Sequence, residues 1–545
     1  MNRHAQVQPP DVAEAFRPPC GDLKVAATLL PIALLALALA ACGQTKSQGP
    51  PAFDLGRERP ALTVLAAQPD DGLVSVAAGD VNGDGHPDLI VGASQADGPA
   101  DSRPDSGEAY VIFGPAAQGG TIDLAQNEQD VTILGADGDD HMGYSVAAGD
   151  VNGDGIDDIL LGAPLADGPA NDRPQAGEAY VILGSPTLEP TIDLALGQQD
   201  LSLFGGDKED RLGISVAAGD ANGDATADVL AGAFLADGPD NARYAAGEAY
   251  LVLGGPSLSG TRDVAQGEFD LAIIAANADE QLGYAVSTGD LNADGIADLV
   301  LGAFRADGPG NARNDTGEVY VIFGSPTLKG VQDLAEAPAN LTVAGADAED
   351  DLGAAVASGD VNEDGVADLL IGAPKADGPD ETRDRAGEVY VVFGSSSLRG
   401  ALDIDRDEQD VTILGADPVD HLGSALTSGD IDGDGIDDLV LGAAGADGRE
   451  NEREDAGEAY VIVGSSSLEP VIDIGLSEQD ATIFGENEGD AFATRVAATD
   501  WDGDGRADVL ATAPNDVPEG AQTAGARQGG RAYVVSIGPQ LRVSR

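Results

Sequence analysis

A nine-residue acidic pattern, Asp-x-Asn/Asp-x-Asp-Gly-x-x-Asp, starts at Asp80, Asp150, Asp220, Asp290, Asp360, Asp430 and Asp500, a step of 70 residues each time. One copy carries Ala in place of the Gly. The tyrosine of "GEAY" or "GEVY" keeps the same step at Tyr110, Tyr180, Tyr250, Tyr320, Tyr390 and Tyr460, and "GGRAY" puts Tyr533 three residues late. A strict period over most of a chain means one supersecondary unit used repeatedly, each copy burying its apolar face on the next.

The second copy shows what the unit is. "YSVAAGD" (Tyr144–Asp150) reads as a short strand of small residues, A, that ends in the acidic loop. "DILLGA" (Asp158–Ala163) is a compact apolar strand, B, and "GEAYVILG" (Gly177–Gly184) a β-rich strand, C. "DLSLFGG" (Asp200–Gly206) alternates as a fourth strand, D. No stretch has helical periodicity. Four-stranded antiparallel units in seven copies predict an all-β, seven-bladed β-propeller over residues 61–545. The strand count at the chain ends favours a ring over a linear solenoid. The last copy stops after strand C, and a spare strand, "ALTVLAA" (Ala61–Ala67), precedes the first. The N-terminal strand is therefore expected to complete the last blade, which leaves no long unpaired edge.

The acidic loop joins strand A to strand B. Positions 1, 3 and 5 place side-chain oxygens around one centre, position 7 offers a backbone carbonyl and position 9 a further carboxylate. Such hard oxygen ligands suit Ca²⁺, which takes six to eight. The candidate ligands of the first loop are Asp80, Asn82, Asp84, His86 and Asp88. Those of the second are Asp150, Asn152, Asp154, Ile156 and Asp158, and of the third Asp220, Asn222, Asp224, Thr226 and Asp228. The fourth offers Asp290, Asn292, Asp294, Ile296 and Asp298, and the fifth Asp360, Asn362, Asp364, Val366 and Asp368. The sixth offers Asp430, Asp432, Asp434, Ile436 and Asp438, and the seventh Asp500, Asp502, Asp504, Arg506 and Asp508. An EF-hand would need Glu at position 12 and flanking helices; here position 12 is apolar (Val91, Leu161) and the flanks are strands. A single copy would read equally well as a polar turn. Seven copies that keep position 9 point to metal, up to seven Ca²⁺, one per blade. Ala225 at position 6 of the third loop should weaken that site, and Asp432 and Asp502 at position 3 should tighten theirs.

A net charge of −68 argues against nucleic acid or anionic lipid as a partner. The only cysteines, Cys20 and Cys42, precede the repeats, so no disulfide framework is expected. Residues 25–41 form an apolar run suited to a secretory signal. The run ends "LAAC", which resembles the lipobox of bacterial lipoproteins and implies lipidation at Cys42. Residues 1–41 then read as presequence, 42–60 as a flexible tether, and the protein as exported and lipid-anchored at the cell envelope or surface, or else secreted. Contact with a membrane is expected only through that anchor.

The repeat resembles the FG-GAP family, which builds the seven-bladed propeller of integrin α chains, and looks most like its bacterial members. The "GAP" element stands at Gly162-Ala163-Pro164 and Gly372-Ala373-Pro374, and "FG" as Met142-Gly143, Leu212-Gly213, Leu282-Gly283, Leu352-Gly353 and Leu422-Gly423. The resemblance implies Ca²⁺ in the A–B loops and a role in adhesion or protein binding. On the opposite face the "ADGP…R…GE" loops repeat Asp97, Arg103 and Glu108 in six blades, and each Arg is expected to pair with these carboxylates within its own loop. The seventh such loop, "APNDVPEGAQTAGARQGG" (Ala513–Gly530), lacks this frame and is the first candidate for a specific contact.

No catalytic set is visible. The four histidines are scattered, and the only Trp, Trp501, lies inside the seventh acidic loop. The reading is a surface-tethered, calcium-binding adhesion or protein-binding platform for a protein or cell-surface ligand, not an enzyme. The alternatives are a structural envelope component and a carboxylate-based hydrolase.

Overall fold

The computed structural model describes residues 50–115, 119–379, 382–515 and 529–541. Their regular structure is strand and short 3₁₀ turn, arranged as seven sheets. In the second blade strand A is Ser145–Gly149, B Asp158–Ala163, C Glu178–Ile182 and D Leu201–Phe204, all antiparallel neighbours. All six residues of strand B are buried in every blade. Blades stack face to face, so an inner strand is covered on both sides. That is why strand B is a continuous apolar run and not an alternating one. The core accordingly lies between blades: Val151, Leu160 and Val181 of the second pack with Val229, Ala231 and Tyr250 of the third.

The blades have five strands, not the four expected. A fifth strand, E, pairs parallel with the outer edge of D and comes from the following repeat. In the second blade it is Gly260–Asp263, with Leu201 opposite Gly260 and Phe204 opposite Asp263. Strand D would otherwise present an open edge, and E covers it.

The seven A strands form the inner ring, each packed against both neighbours and the seventh against the first. Their last residues are small because the blades crowd there. A β-carbon on Gly79 would stand 2.7 Å from Ala148 Cβ, and one on Gly149 2.8 Å from Ala218 Cβ. Hydrogen bonds link the ring as well: Thr288 Oγ1 donates to the Ala218 carbonyl at 2.9 Å and Ser358 Oγ to that of Thr288 at 2.8 Å.

The ring closes through the N-terminal strand as expected. Leu62–Leu65 is strand D of the last blade, antiparallel to Arg531–Val535, with Leu62 opposite Val534. Closure extends further. Ala52–Asp54, inside the stretch read as a tether, forms strand E of the sixth blade, parallel to Ala481–Phe484. "FDL" at Phe53–Leu55 stands for "IDL" at Ile192–Leu194, the segment that a complete seventh repeat would have supplied.

Strand E also fixes the partner of the repeated arginines, which differs from the expected one. Arg173 pairs with Asp263 at 2.9 Å, not with Asp167 or Glu178 of its own loop. Arg103–Asp193, Arg313–Asp403 and Arg383–Asp473 repeat this at 2.7–2.8 Å, and Arg243 pairs with Asp333. Arg453 takes Asp54 at 2.9 Å, so the N-terminal segment completes the series. Each arginine also reaches backbone carbonyls, Arg173 Nη1 donating to Gly205 at 2.6 Å. The planar guanidinium has donors enough for both. These pairs tie successive repeats together, where a brace within one loop was expected.

Asp54 is buried, so removing its carboxylate leaves the Arg453 guanidinium without its counter-charge. Asp54→Ala is expected to cost about 2 kcal/mol. Starting the chain at residue 61 is expected to lower the thermal midpoint further, because strand E of the sixth blade is lost. An unchanged midpoint in both variants, read by differential scanning calorimetry, contradicts this closure.

Candidate metal centres

Each acidic loop is a tight turn whose position-1 carboxylate gathers the backbone. Asp150 Oδ1 accepts from Gly153 N–H (2.7 Å) and Asp154 N–H (3.1 Å), and Oδ2 accepts from Gly155 N–H (2.8 Å). Asp80, Asp220, Asp290, Asp360, Asp430 and Asp500 each hold the position-6 N–H in the same way. The position-5 carboxylates accept from the N–H of position 7, as Asp154 does from Ile156 at 3.0 Å. In the sixth and seventh loops position 3 is also an aspartate. There one oxygen from each of Asp430, Asp432 and Asp434 lies within 4.8 Å of the others, as for Asp500, Asp502 and Asp504. Burial and then the charge of Asp434 push the Asp432 carboxyl above its usual range. A divalent cation would relieve such crowding, and hard, partly exposed oxygens on one short loop fit Ca²⁺.

Position 9 forms the floor of the loop. Asp158 is fully buried at the start of strand B. Its Oδ2 accepts from Val151 N–H (2.8 Å) and Asn152 N–H (3.2 Å), and Oδ1 from Gly184 N–H after strand C (2.8 Å). Burial raises Asp158 to about 7, against the backbone donors that favour its charged form. Asp88, Asp228, Asp298, Asp368, Asp438 and Asp508 take the same backbone donor one residue after position 1. In five loops the position-3 Asn amide leans on this floor, Asn292 Nδ2 donating to Asp298 Oδ1 at 2.9 Å.

Position 7 has a further role at its side chain. A β-carbon on Gly83 would meet Ile156 of the next loop at 2.9 Å, one on Gly153 Thr226 at 3.1 Å, and one on Gly433 Arg506 at 2.8 Å. Neighbouring loops also share backbone bonds, Ala227 N–H donating to the Asp150 carbonyl at 2.9 Å. The loops thus form a belt around one face, bonded at six of its seven contacts; at the closure Pro87 has no N–H to give. Cys42 and most of the loop Ala513–Gly530 (residues 516–528) lie outside the described residues.

The other face holds buried carboxylate pairs, of which the sequence reading named only the glutamates, and those as partners of the loop arginines. Asp140 and Glu178 are buried near one another, and Tyr180 O–H donates to Glu178. Burial and the charge of Glu178 push Asp140 up to about 8, and burial pushes Glu178 to about 7. Asp420 and Glu458 repeat the arrangement at about 7 and about 8. The signal was a carboxylate at Asp140, Asp210, Glu280, Asp350, Asp420 and Asp490, again at the 70-residue step, hidden among 96 acidic residues.

Two predictions follow from these geometries. Ala225 sits at φ +69° where the other loops have glycine, and the corresponding Gly155 has open space around its α-carbon. Ala225→Gly should therefore stabilise the third loop by about 1 kcal/mol, seen as slower amide exchange in residues 220–228. The buried carboxylates keep their protons in the folded ring where the unfolded chain has lost them. Their contribution to stability is complete below about pH 4 and is lost as the pH rises to about 8. At saturating Ca²⁺ the thermal midpoint should fall between about pH 5 and about pH 8, and Glu458→Gln should make that fall smaller.

The FG and GAP elements have a physical meaning here. A β-carbon on Gly92 would stand 2.0 Å from the Gly143 carbonyl oxygen of the next blade, and one on Gly162 2.0 Å from that of Gly213. The FG-GAP repeat model matches residues 73–112, 142–182, 282–322, 352–392, 422–462 and 492–535. The third blade, with Ala225, is outside those ranges. The bovine (Bos taurus) phosphatidylinositol-glycan-specific phospholipase D is 38% identical over 169 residues, 31% of this chain and 19% of that protein. Integrin alpha-PS2 of Drosophila melanogaster is 32% identical over 184 residues, 32% and 12% of the two chains. Integrin alpha pat-2 of Caenorhabditis elegans is 30% identical over 269 residues, 46% and 19%. The matches span less than a quarter of each of these relatives. With glycine pairs at its blade contacts, six matched repeats and a closed ring of seven blades, the chain belongs to the FG-GAP repeat proteins and is integrin-α-like.

Proposed function

We propose that this protein is a surface-tethered, Ca²⁺-stabilised propeller that serves as a protein-binding or adhesion platform and carries out no catalysis of its own. The observation that carries the reading is the belt of acidic loops. Three carboxylates converge in two of them, and all seven share one backbone frame. Ca²⁺ there would pin each A–B hairpin, so the metal acts on the fold and leaves the other face for partners. The integrin α relatives support a binding role. The phospholipase D relatives share only a stretch of this kind, so their activity is not carried over. Among the described residues no helix is long and apolar enough to cross a membrane. Tethering through a lipid on Cys42 rests on the "LAAC" that ends the apolar run of residues 25–41. One observation favours a structural envelope role instead: the Arg–Asp pairs repeat almost unchanged around the ring.

The test uses residues 43–545. Ca²⁺ should raise the thermal midpoint relative to chelator, and Mg²⁺ should not, since it demands a tighter octahedral shell. Immobilised protein should then retain a cell-surface protein in Ca²⁺ and release it in chelator. A thermal shift without Ca²⁺-dependent retention would favour the structural role. No thermal shift would overturn the metal assignment.

A further inference from the structure

At the axis the A strands of all seven blades line a cavity of about 420 Å³. It opens toward the face opposite the acidic loops, where Pro374 and Phe304, which follow strands B, contribute to its wall. At one level of this ring the lining residue is Ser or Ala in six blades, from Ser75 to Ala425. In the seventh it is Arg495. Its Nη1 donates to the carbonyl of its own neighbour Thr494 at 2.9 Å, and it has no ion pair among the described residues. The chain has 96 acidic and 28 basic residues, and the loop arginines all find carboxylates. Arg495 is half-buried, and it is the one basic residue among those that line the cavity.

The rest of the wall defines what would complement it. The fourth blade, across the axis, supplies an aromatic surface: the Tyr284 and Phe304 rings lie 4.5 Å apart, and Phe234 of the third blade stands 5.5 Å from Tyr284. Arg305 stands over the Phe304 ring at 5.6 Å. The one acid in the lining, Asp351, is neutralised by Lys375 at 2.6 Å. The cavity therefore presents one unpaired cation, an aromatic wall and small neutral side chains between them. A cavity of this size suits a small molecule, and the geometry suits a carboxylate on an apolar stem.

We propose that the axial cavity binds a small organic acid, with its carboxylate on Arg495 and its apolar body against Tyr284 and Phe304. This goes beyond the platform role and does not depend on it, because no group in the site belongs to the acidic loops.

The test measures binding of 3-phenylpropionate and of its uncharged amide to the full chain in Ca²⁺, by saturation-transfer NMR and titration calorimetry. The acid should bind at least about tenfold more tightly than the amide. Arg495→Ser should remove that preference while keeping the thermal midpoint, since serine stands at this position in three other blades. Should the serine variant fail to fold, Arg495→Gln, closer in volume, is read in the same way. Equal affinity for acid and amide, a preference that survives loss of Arg495, or no saturable binding of the acid at millimolar concentration would each overturn the assignment.

Discussion

The rest of the structure depends on how closely two blades approach at the inner ring. The GAP glycine of one blade lies against the carbonyl of the FG glycine of the next, with no room for a β-carbon at Gly92, Gly162, Gly232, Gly302 or Gly372. That contact sets the spacing of the A strands. The spacing dictates small residues at the ends of those strands and lets the apolar B and C strands of neighbouring blades share one core. At the closure the corresponding positions are Thr512 and Leu73, and Thr512 Oγ1 is buried without a hydrogen-bond partner among the described residues. Closure relies instead on two N-terminal strands, Ala52–Asp54 and Leu62–Leu65.

The acidic loops rest on this ring and also reinforce it. Their position-9 carboxylates are spent on backbone donors from the loop and from the second residue after strand C, which ties three strands of a blade together. Positions 1 and 5 reach the surface, position 3 lies mostly buried between them and the floor, and the three carry more oxygen than the backbone uses. The division explains why one short motif keeps so many carboxylates. The floor serves the fold directly, and the rim would serve it through the proposed cation. Position 7, read from sequence for its carbonyl, adds a side chain that wedges against the preceding loop.

Much of this was legible in the sequence. Strands A to D, their order, the ring and its N-terminal closure all followed from a 70-residue period and a count of strands at the chain ends. Strand E did not, because "TID" or "GTRD" is too short to show alternation and its partner belongs to the previous repeat. The arginine pairing was misassigned for a related reason. Nearby acids in the same loop looked sufficient, whereas the true partner is 90 residues away, brought close by strand E. The paired buried carboxylates were invisible because acidity was the background of the whole chain, and burial is what sets Asp140 and Glu178 apart. Arg495 was one changed letter in a strand of small residues, and only the ring shows it to be the exception at its level.

The most direct test of the account is hydrogen exchange on Gly162→Ala. The added methyl would meet the Gly213 carbonyl of the third blade at 2.0 Å. The account predicts that amide protection falls together in strands Ser145–Gly149 and Leu212–Gly219, on both sides of the contact. Unchanged protection, or loss confined to the second blade, would contradict the claim that the backbone fit between blades sets the ring.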